Sequence, residues 1–427
     1  MKKGFGSFGK SFWTAITMEF FERGSYYGVM SVLSVYLVLS TDQGGLGFTK
    51  EKVGIIKSVI TPLLYILPIV AGAIADRFGY RKTLFFAFAV MSSGYFLTSI
   101  STSYSAVFLS LTLMAVGAGT FKPIISGTIA QTTNESNSSL GFGIYYWSIN
   151  LGAFLVPLIL VPYLKTLGWN YILLMAAFGT GWLLLLNFFV FREPERPQSQ
   201  KSLVQVFADM LLVIKDYKFI LTIVIYSGFW ILYFQMYDSV LWFLKEHIDM
   251  TPVNNAVNSF LTIFVDNPSW KFDAEHVTVV NAGTIILLQL VVSAILKNAK
   301  PLPAMIVGIS LGTLGLALLA ISTYAWVFIL GLVIFTLGEM TAHPKFISYI
   351  GLIAPQDKKA LYLGYSFLYG VIGSGVGGVL GAFAYVRFVT NMNRPELFWL
   401  MFCGIGVLTI IGLIVFNRFV LKDSKQS

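Results

Sequence analysis

Apolar residues fall in long runs separated by short polar segments. Each run is near the length, roughly 20 residues, that a helix needs to cross a hydrocarbon core of about 30 Å. Twelve such runs lie near 11–40, 53–75, 83–101, 105–131, 141–164, 171–191, 219–245, 277–297, 303–322, 325–348, 362–388 and 396–417. The pattern predicts an all-α integral membrane protein with 12 transmembrane helices. Its first run is anomalous, because MEFFERGSYYG, Met18 to Gly28, carries Glu19, Glu22 and Arg23. At helical spacing these three share one face and can turn together away from lipid.

Composition agrees with that reading. The chain of 427 residues is 56% hydrophobic and 11% charged, with a mean hydropathy of +0.76, far from a soluble domain. With the N-terminus cytoplasmic, eighteen Lys and Arg fall on the cytoplasmic side and seven on the other. The positive-inside rule therefore puts both termini in the cytoplasm. The net charge of +9 reads as membrane topology and gives no support to nucleic-acid binding. The single Cys403 lies in an apolar run, so no disulfide within the chain and no Cys-based metal or catalytic motif is expected. The first run follows basic residues but lacks a small-residue cleavage site, and it reads as retained.

The most polar and proline-bearing break, FREPERPQSQKS, divides the runs six and six. It predicts an N-terminal six-helix bundle over 1–192, a cytoplasmic linker over 193–218 and a C-terminal six-helix bundle over 219–427. Within the linker Leu203, Val206, Phe207, Met210, Leu211 and Ile214 recur at helical spacing, which predicts an amphipathic helix on the cytoplasmic face. The longest outer segment, Ile248 to His276, is mixed in composition and points to no role.

Ionisable groups near the middle of a span cost about 2.5 to 3.5 kcal/mol each, so those retained there are functional candidates. Lys57 and Lys345 lie near span ends and read as snorkelling outward. Asp238 is intermediate. Glu19, Glu22, Arg23, Lys122 and Glu339 must pair or sit in water, either as buried ion pairs that fix packing or as the poles of a hydrated cavity. His247 and His276 read as facing water, and His343, one turn after Glu339, as a neighbour able to tune it or merely to pack.

Motifs then carry a resemblance. GAIADRFGYRK, Gly72 to Lys82, resembles the turn between spans 2 and 3 of major facilitator transporters, with Asp76, Arg77 and Arg81 as gating residues. ExxER with SYYG (Glu19 to Gly28), YILP (Tyr65 to Pro68), GTFKP (Gly119 to Pro123), YYWSINLG (Tyr145 to Gly152) and GEMTAHP (Gly338 to Pro344) together resemble the proton-dependent oligopeptide transporter family. The resemblance implies a major facilitator fold with the substrate site between the halves, in the inner membrane of a bacterium. It implies Arg23, Tyr27 and Lys122 around a peptide carboxylate, and Asn150, Asn281 and Glu339 around its amino group. Tyr26, Tyr65 and Trp147 would line side-chain pockets, with Gln235 and Ser366 beside them.

Three departures stand out. The family's further arginine and its seventh-span glutamate are here Met30 and Phe234, which predicts an apolar contact in place of a salt bridge. Proton coupling is then expected to rest on Glu19, Glu22 with Arg23, Asp238 or Glu339. Ser366 stands where the family commonly has Trp, which predicts an enlarged or re-shaped pocket. The function that follows is proton-coupled uptake of di- or tripeptides by alternating access. Its alternative is a divergent carrier of another organic anion with weak or no coupling. A receptor or scaffold has no use for unpaired midplane charge, and an enzyme lacks any nucleophile or metal motif. Neither cofactor nor metal is expected, the proton gradient being the energy source, and the chain reads as a monomer.

Overall fold

The computed structural model describes residues 8–194 and 203–420, so residues 195–202 of the expected linker lie outside it. The basic positions Lys2, Lys3, Arg196, Lys201, Lys422 and Lys425, used above for orientation, also lie outside the described residues. Apart from one bridge between Asp249 and Tyr324, the regular structure is helical among the described residues. The first group of helices is α1 (Lys10–Met30), α2 (Leu33–Val38), α3 (Lys50–Phe78), α4 (Tyr80–Ile100), α5 (Tyr104–Gln131), α6 (Ser138–Leu155), α7 (Val161–Leu167), α8 (Asn170–Gly181) and α9 (Leu183–Phe189). Next come α10 (Leu203–Lys215), α11 (Tyr217–Phe234), α12 (Ser239–His247), α13 (Thr251–Leu261) and α14 (Glu275–Leu296). The chain continues with α15 (Pro301–Ile321), α16 (Ala325–Ile353), α17 (Lys359–Tyr365), α18 (Leu368–Ala384) and α19 (Pro395–Val415).

Among the described residues eleven helical segments are long and apolar enough to cross a membrane, and they coincide with the second to twelfth expected runs. Helix α1 is not among them, because Glu19, Glu22 and Arg23 lie in its middle. In the first group α1 packs on α5, α6 and α8, while α4 packs on α5 and α8. In the second, α11 packs on α18 and α19, and α15 on α16 and α19. The two groups meet through α3 against α18 and α6 against α14. Small residues permit that approach: a Cβ on Gly54 of α3 would lie 2.7 Å from the Gly378 carbonyl oxygen of α18.

Besides a single-residue turn at Trp182 in the sixth run, three expected runs are interrupted rather than continuous. The first breaks at Ser31–Val32, the seventh at Gln235–Asp238 and the eleventh at Ser366–Phe367. At two breaks a serine hydroxyl donates back to its own chain, Ser31 to the Gly28 carbonyl at 2.8 Å and Ser366 to the Leu363 carbonyl at 2.7 Å. Such bonds compete with the helical ladder and bend it. At the third, Ser34 donates to the freed Tyr237 carbonyl at 2.9 Å. Broken backbone at this depth persists where neighbouring groups satisfy it.

Helix α10 forms where the amphipathic pattern predicts a helix, and it docks on α3 and α17. Leu211 and Ile214 of the expected apolar face are exposed, and it is Val213 that is buried. The side chains of Leu203, Val206 and Phe207 lie outside the described residues. Two further expectations are corrected. Lys345 does not snorkel outward: its Nζ donates to the Leu296 and Ala299 carbonyls at 2.7 and 2.8 Å, capping the end of α14. His276 does not face water: it is buried edge-on to Trp270, and its Nδ1 accepts from the Asp273 amide at 3.0 Å. The Ile248–His276 segment folds back on itself, which is why that ring is covered.

Candidate substrate cavity and its charged residues

The helical spacing of Glu19, Glu22 and Arg23 brings them together on α1, where all three are buried. The Arg23 guanidinium is bidentate on Glu22, with Nη2 donating to Oε1 at 2.7 Å and Nε to Oε2. Glu19 stands further off, its Oε1 3.7 Å from Arg23 Nε. The other Glu19 oxygen, Oε2, is buried and has no hydrogen-bond partner in the protein. Arg23 also lies 5.0 Å from the Tyr26 ring centroid. Arginine and carboxylate are matched here in fork geometry, so this cation is fully engaged by its own helix.

Lys122 is in the opposite condition. Among the described residues no carboxylate lies within ion-pair distance of its Nζ, which sits 5.6 Å from the Tyr65 ring and 5.9 Å from the Phe367 ring. It opens into a cavity of about 750 Å³ lined by Tyr65, Pro68, Lys122, Tyr145 and Phe367 and reaching Asp76 and Asp209. That volume is in the range of small-molecule sites. Tyr65 separates this cavity from a chamber of about 50 Å³ that holds Tyr26, Tyr27, Met30, Lys57, Phe234 and Asp238. Glu339 on α16 accepts from Asn281 Nδ2 at 3.0 Å, and that amide nitrogen also lies 3.0 Å from Thr336 Oγ1. Thus Glu339 and Asn281 meet as the motifs imply, with no cation within ion-pair distance of Glu339 among the described residues.

Other expected site residues lie elsewhere. Gln235 is buried against α18, donating to the Gly377 carbonyl at 3.0 Å and accepting from Ser239 at 2.7 Å. Ser366 is fully buried at a helix break, and its neighbour Phe367 faces the cavity, so the small residue at 366 enlarges no pocket wall. Asn150 spends its amide on the Tyr146 carbonyl at 2.9 Å, and Trp147 is exposed and lines neither cavity. His343 packs edge-on to Trp230 and Tyr369. At the Gly72–Lys82 turn, Arg81 Nε donates to the Asn187 carbonyl at 3.2 Å, Arg77 lies 5.6 Å from the Phe78 ring, and Asp76 accepts from Tyr80 at 3.4 Å.

Where an apolar contact is expected at Met30 and Phe234, a charged pair stands beside them. Both line the small chamber, but a salt bridge fills it, from Lys57 Nζ on α3 to Asp238 Oδ1 at 3.1 Å. Lys57 is buried and turned inward, with Met30 Sδ 3.9 Å from its Nζ. Ser34 donates to Asp238, and Trp242 Nε1 donates to the Ser34 carbonyl at 3.0 Å. Asp238 does not continue the face of Phe234, because the helix ends there and its backbone turns to φ −135° and ψ −86°. Two further pairs join the helix groups on this side: Lys50 with Glu246 at 2.6 Å, and Lys165 with Asp273 at 2.7 Å and Glu275 at 2.8 Å. In each the lysine comes from the first group and the carboxylate from the second. Sequence reading missed Lys57, Ser34, Trp242 and Phe367; only Lys57 carried a signal, as a charge inside an apolar run.

A twelve-run helical chain with discontinuous spans around a charged cavity is the build of a membrane transporter, and comparison identifies the class. The profile of the Major Facilitator Superfamily matches residues 12–378, and the chain belongs to that superfamily. Within it, the chain is 37% identical over 193 residues to the uncharacterized transporter YclF of Bacillus subtilis, covering 44% of this chain and 38% of the relative. It is 29% identical over 233 residues to the di-/tripeptide transporter of Lactococcus lactis, covering 52% of this chain and 45% of the relative. These alignments span less than half the length of either relative. A crystal structure of the peptide transporter POT, a mutant in complex with sulfate, superposes over 97% of this chain and 96% of that chain with a TM-score of 0.80 and 20% identity.

Proposed function

We propose that this chain is a proton-coupled carrier of di- and tripeptides in the inner membrane of a bacterium. The observation that carries the reading is the unequal state of two cations, Lys122 free in the cavity and Arg23 held by Glu22. A zwitterionic cargo needs a cationic pole for its carboxylate and an anionic pole for its amine. Lys122 supplies the first at once, and Glu339 with Asn281 the second. Arg23 joins only when its carboxylate partner takes a proton, so Glu19 and Glu22 link protonation to binding. The charge cluster then has work that a packing role would not require. Peptide transport by the Lactococcus relative supports the cargo.

The cycle proceeds by alternating access between an N-terminal bundle over 1–192 and a C-terminal bundle over 219–427, linked by 193–218, with α1 and α2 as the first span, which completes the twelve, and both termini cytoplasmic. The lysine-to-carboxylate pairs close the outer side, and the cavity that reaches Asp76 and Asp209 is the route to the cytoplasm. The carrier works as a monomer with no cofactor or metal beyond the proton gradient. A second reading, an uncoupled carrier of another organic anion, is favoured by Met30 and Phe234 in place of the family's charged pair.

Uptake of labelled dialanine into proteoliposomes, with and without an inward proton gradient, separates the two. Gradient-driven accumulation that Lys122→Ala abolishes supports coupled peptide transport. Equilibration without accumulation supports the uncoupled reading, and no uptake at all rejects peptides as cargo.

A further inference from the structure

The segment between α12 and α14 has no part in the cavity, yet its shape is specific. Helix α13 is tied down on one side, with Val253 buried and the helix packed on α16. Asn258 brackets the returning strand of chain, donating to the Trp270 carbonyl and accepting from the Trp270 amide, both at 2.9 Å. Asn254 accepts from the Phe272 amide at 2.8 Å. The tip that these bonds hold is apolar: Phe260, Ile263, Phe264 and Val265 are 60, 70, 71 and 57% exposed. Four large apolar side chains displayed together by a hydrogen-bonded scaffold call for a partner surface.

The bilayer is the surface at hand. The Asp249–Tyr324 bridge fixes the start of this segment to the turn that ends α15 and begins α16. Ile321 and Trp326 on the flanking membrane-spanning helices and Tyr324 within the turn are exposed. The segment thus starts beside an exposed face of membrane-spanning helices whose Tyr and Trp suit the interface. Charge is sparse beside it, Asp266 and Lys271 being the charged residues of the returning chain before Asp273.

We infer that α13 and its apolar tip form an interfacial foot, in which Phe260, Ile263, Phe264 and Val265 insert into the outer leaflet while Asn255 and Ser259 face water. The bound chemistry is the headgroup and upper acyl region of a lipid surface, at the depth that amphipathic helices reach. The foot would anchor the second helix group while the first rocks against it.

The full chain carrying Cys403→Ser and Phe264→Cys, labelled with an environment-sensitive fluorophore and placed in phosphatidylcholine nanodiscs, tests this. Asn255→Cys serves as the water-facing control. The expected result is blue-shifted emission at position 264, with quenching by a doxyl group high on the acyl chain about twofold or more above that at 255, and weaker iodide quenching. Ile263→Cys gives the same reading should the 264 variant fail to yield monodisperse protein. Iodide quenching at 263 and 264 equal to that at 255 overturns the inference. So does self-quenching that vanishes on dilution with unlabelled protein and comes without doxyl quenching, since that would mean a second copy covers the tip.

Discussion

Replacing Asp238 by Asn tests whether the buried bridge to Lys57 holds the outer side shut. The 3.1 Å pair joins α3 to the break after α11, and both residues are buried. Removing one partner of such a pair costs about 3 to 5 kcal/mol, mostly because the other charge is stranded. Here Lys57 would be left beside Met30 Sδ, a poor substitute for a carboxylate. Opening the outer side lets water reach the ammonium, so the penalty falls chiefly on the closed state. At 1.4 kcal/mol per factor of ten, the low end of that cost moves the open-to-closed ratio by about two powers of ten. The Lys165 clasp is unchanged by the substitution, so it sets where the ratio starts and not how far it moves. Spin labels at Thr166 and Asn255, introduced by Cys substitution with Cys403→Ser, report the separation of the two groups by pulsed electron resonance. Asp238→Asn is expected to add a longer-distance population, and Lys57→Met with Asp238→Leu, which removes both charges, to restore the short one. An Asp238→Asn distribution identical to the parent, or a double variant as open as the single, refutes the reasoning.

Further outcomes follow from other parts of the molecule. Lys122→Gln removes the free cation of the cavity and should weaken dialanine binding about 10- to 100-fold, the worth of about 1.5 to 3 kcal/mol for a charge-assisted bond, measured by competition binding. Glu339→Gln should erase the preference for dialanine over N-acetyl-dialanine; retention of that preference would place the amine elsewhere. Gly54→Val puts a side chain against the Gly378 carbonyl, 2.7 Å from the new Cβ, and should cost about 1 to 3 kcal/mol as a lowered Tm in detergent. The clasp at Asp273 should ignore ordinary acidity. Burial raises the carboxyl, but the Lys165 and Lys245 ammoniums outweigh it and hold the group at about 2, below the usual carboxylate value. A depressed folded pKa stabilises above the unfolded value of about 3.9 and fails only as pH falls from there toward 2. Asp273 in the intact protein should therefore stay ionised from about pH 8 to about pH 5, and a protonated-carboxyl infrared band in that window that Asp273→Asn removes rejects the assignment.

The sequence was legible where the physics is local. Helix length against bilayer thickness placed eleven spans, and a spacing of three and four put Glu19, Glu22 and Arg23 on one buried face. Motif resemblance supplied the meeting of Glu339 with Asn281, which lie 58 residues apart. What escaped depends on how helices break and cross. Runs 1, 7 and 11 read as continuous because hydropathy averages over the one or two residues at which Ser31, Asp238 and Ser366 leave the helix. Those breaks rotate everything beyond them, so Ser366 turned into the packing while Phe367 turned into the cavity.

Lys57 shows why single positions mislead. Near a span end its long stem allows snorkelling, the cheaper account when no partner is known. Its partner lies 181 residues away and is oriented by the break after α11 together with Ser34. The apolar side chains of Met30 and Phe234 then have a physical consequence. Both line the small chamber, which removes water from the Lys57–Asp238 bridge and raises the cost of breaking it. The Lys57–Asp238 pair stands in that chamber, and its carboxylate is the one among the lysine-to-carboxylate pairs described above that also faces the tyrosines around Arg23. Removing the Asp238 charge loosens the bundle contact and changes the field at Tyr26 and Tyr27 in one step. The transport defect of Asp238→Asn should therefore be loss of accumulation, with exchange of dialanine across the membrane retained, whereas Lys122→Gln should lose both.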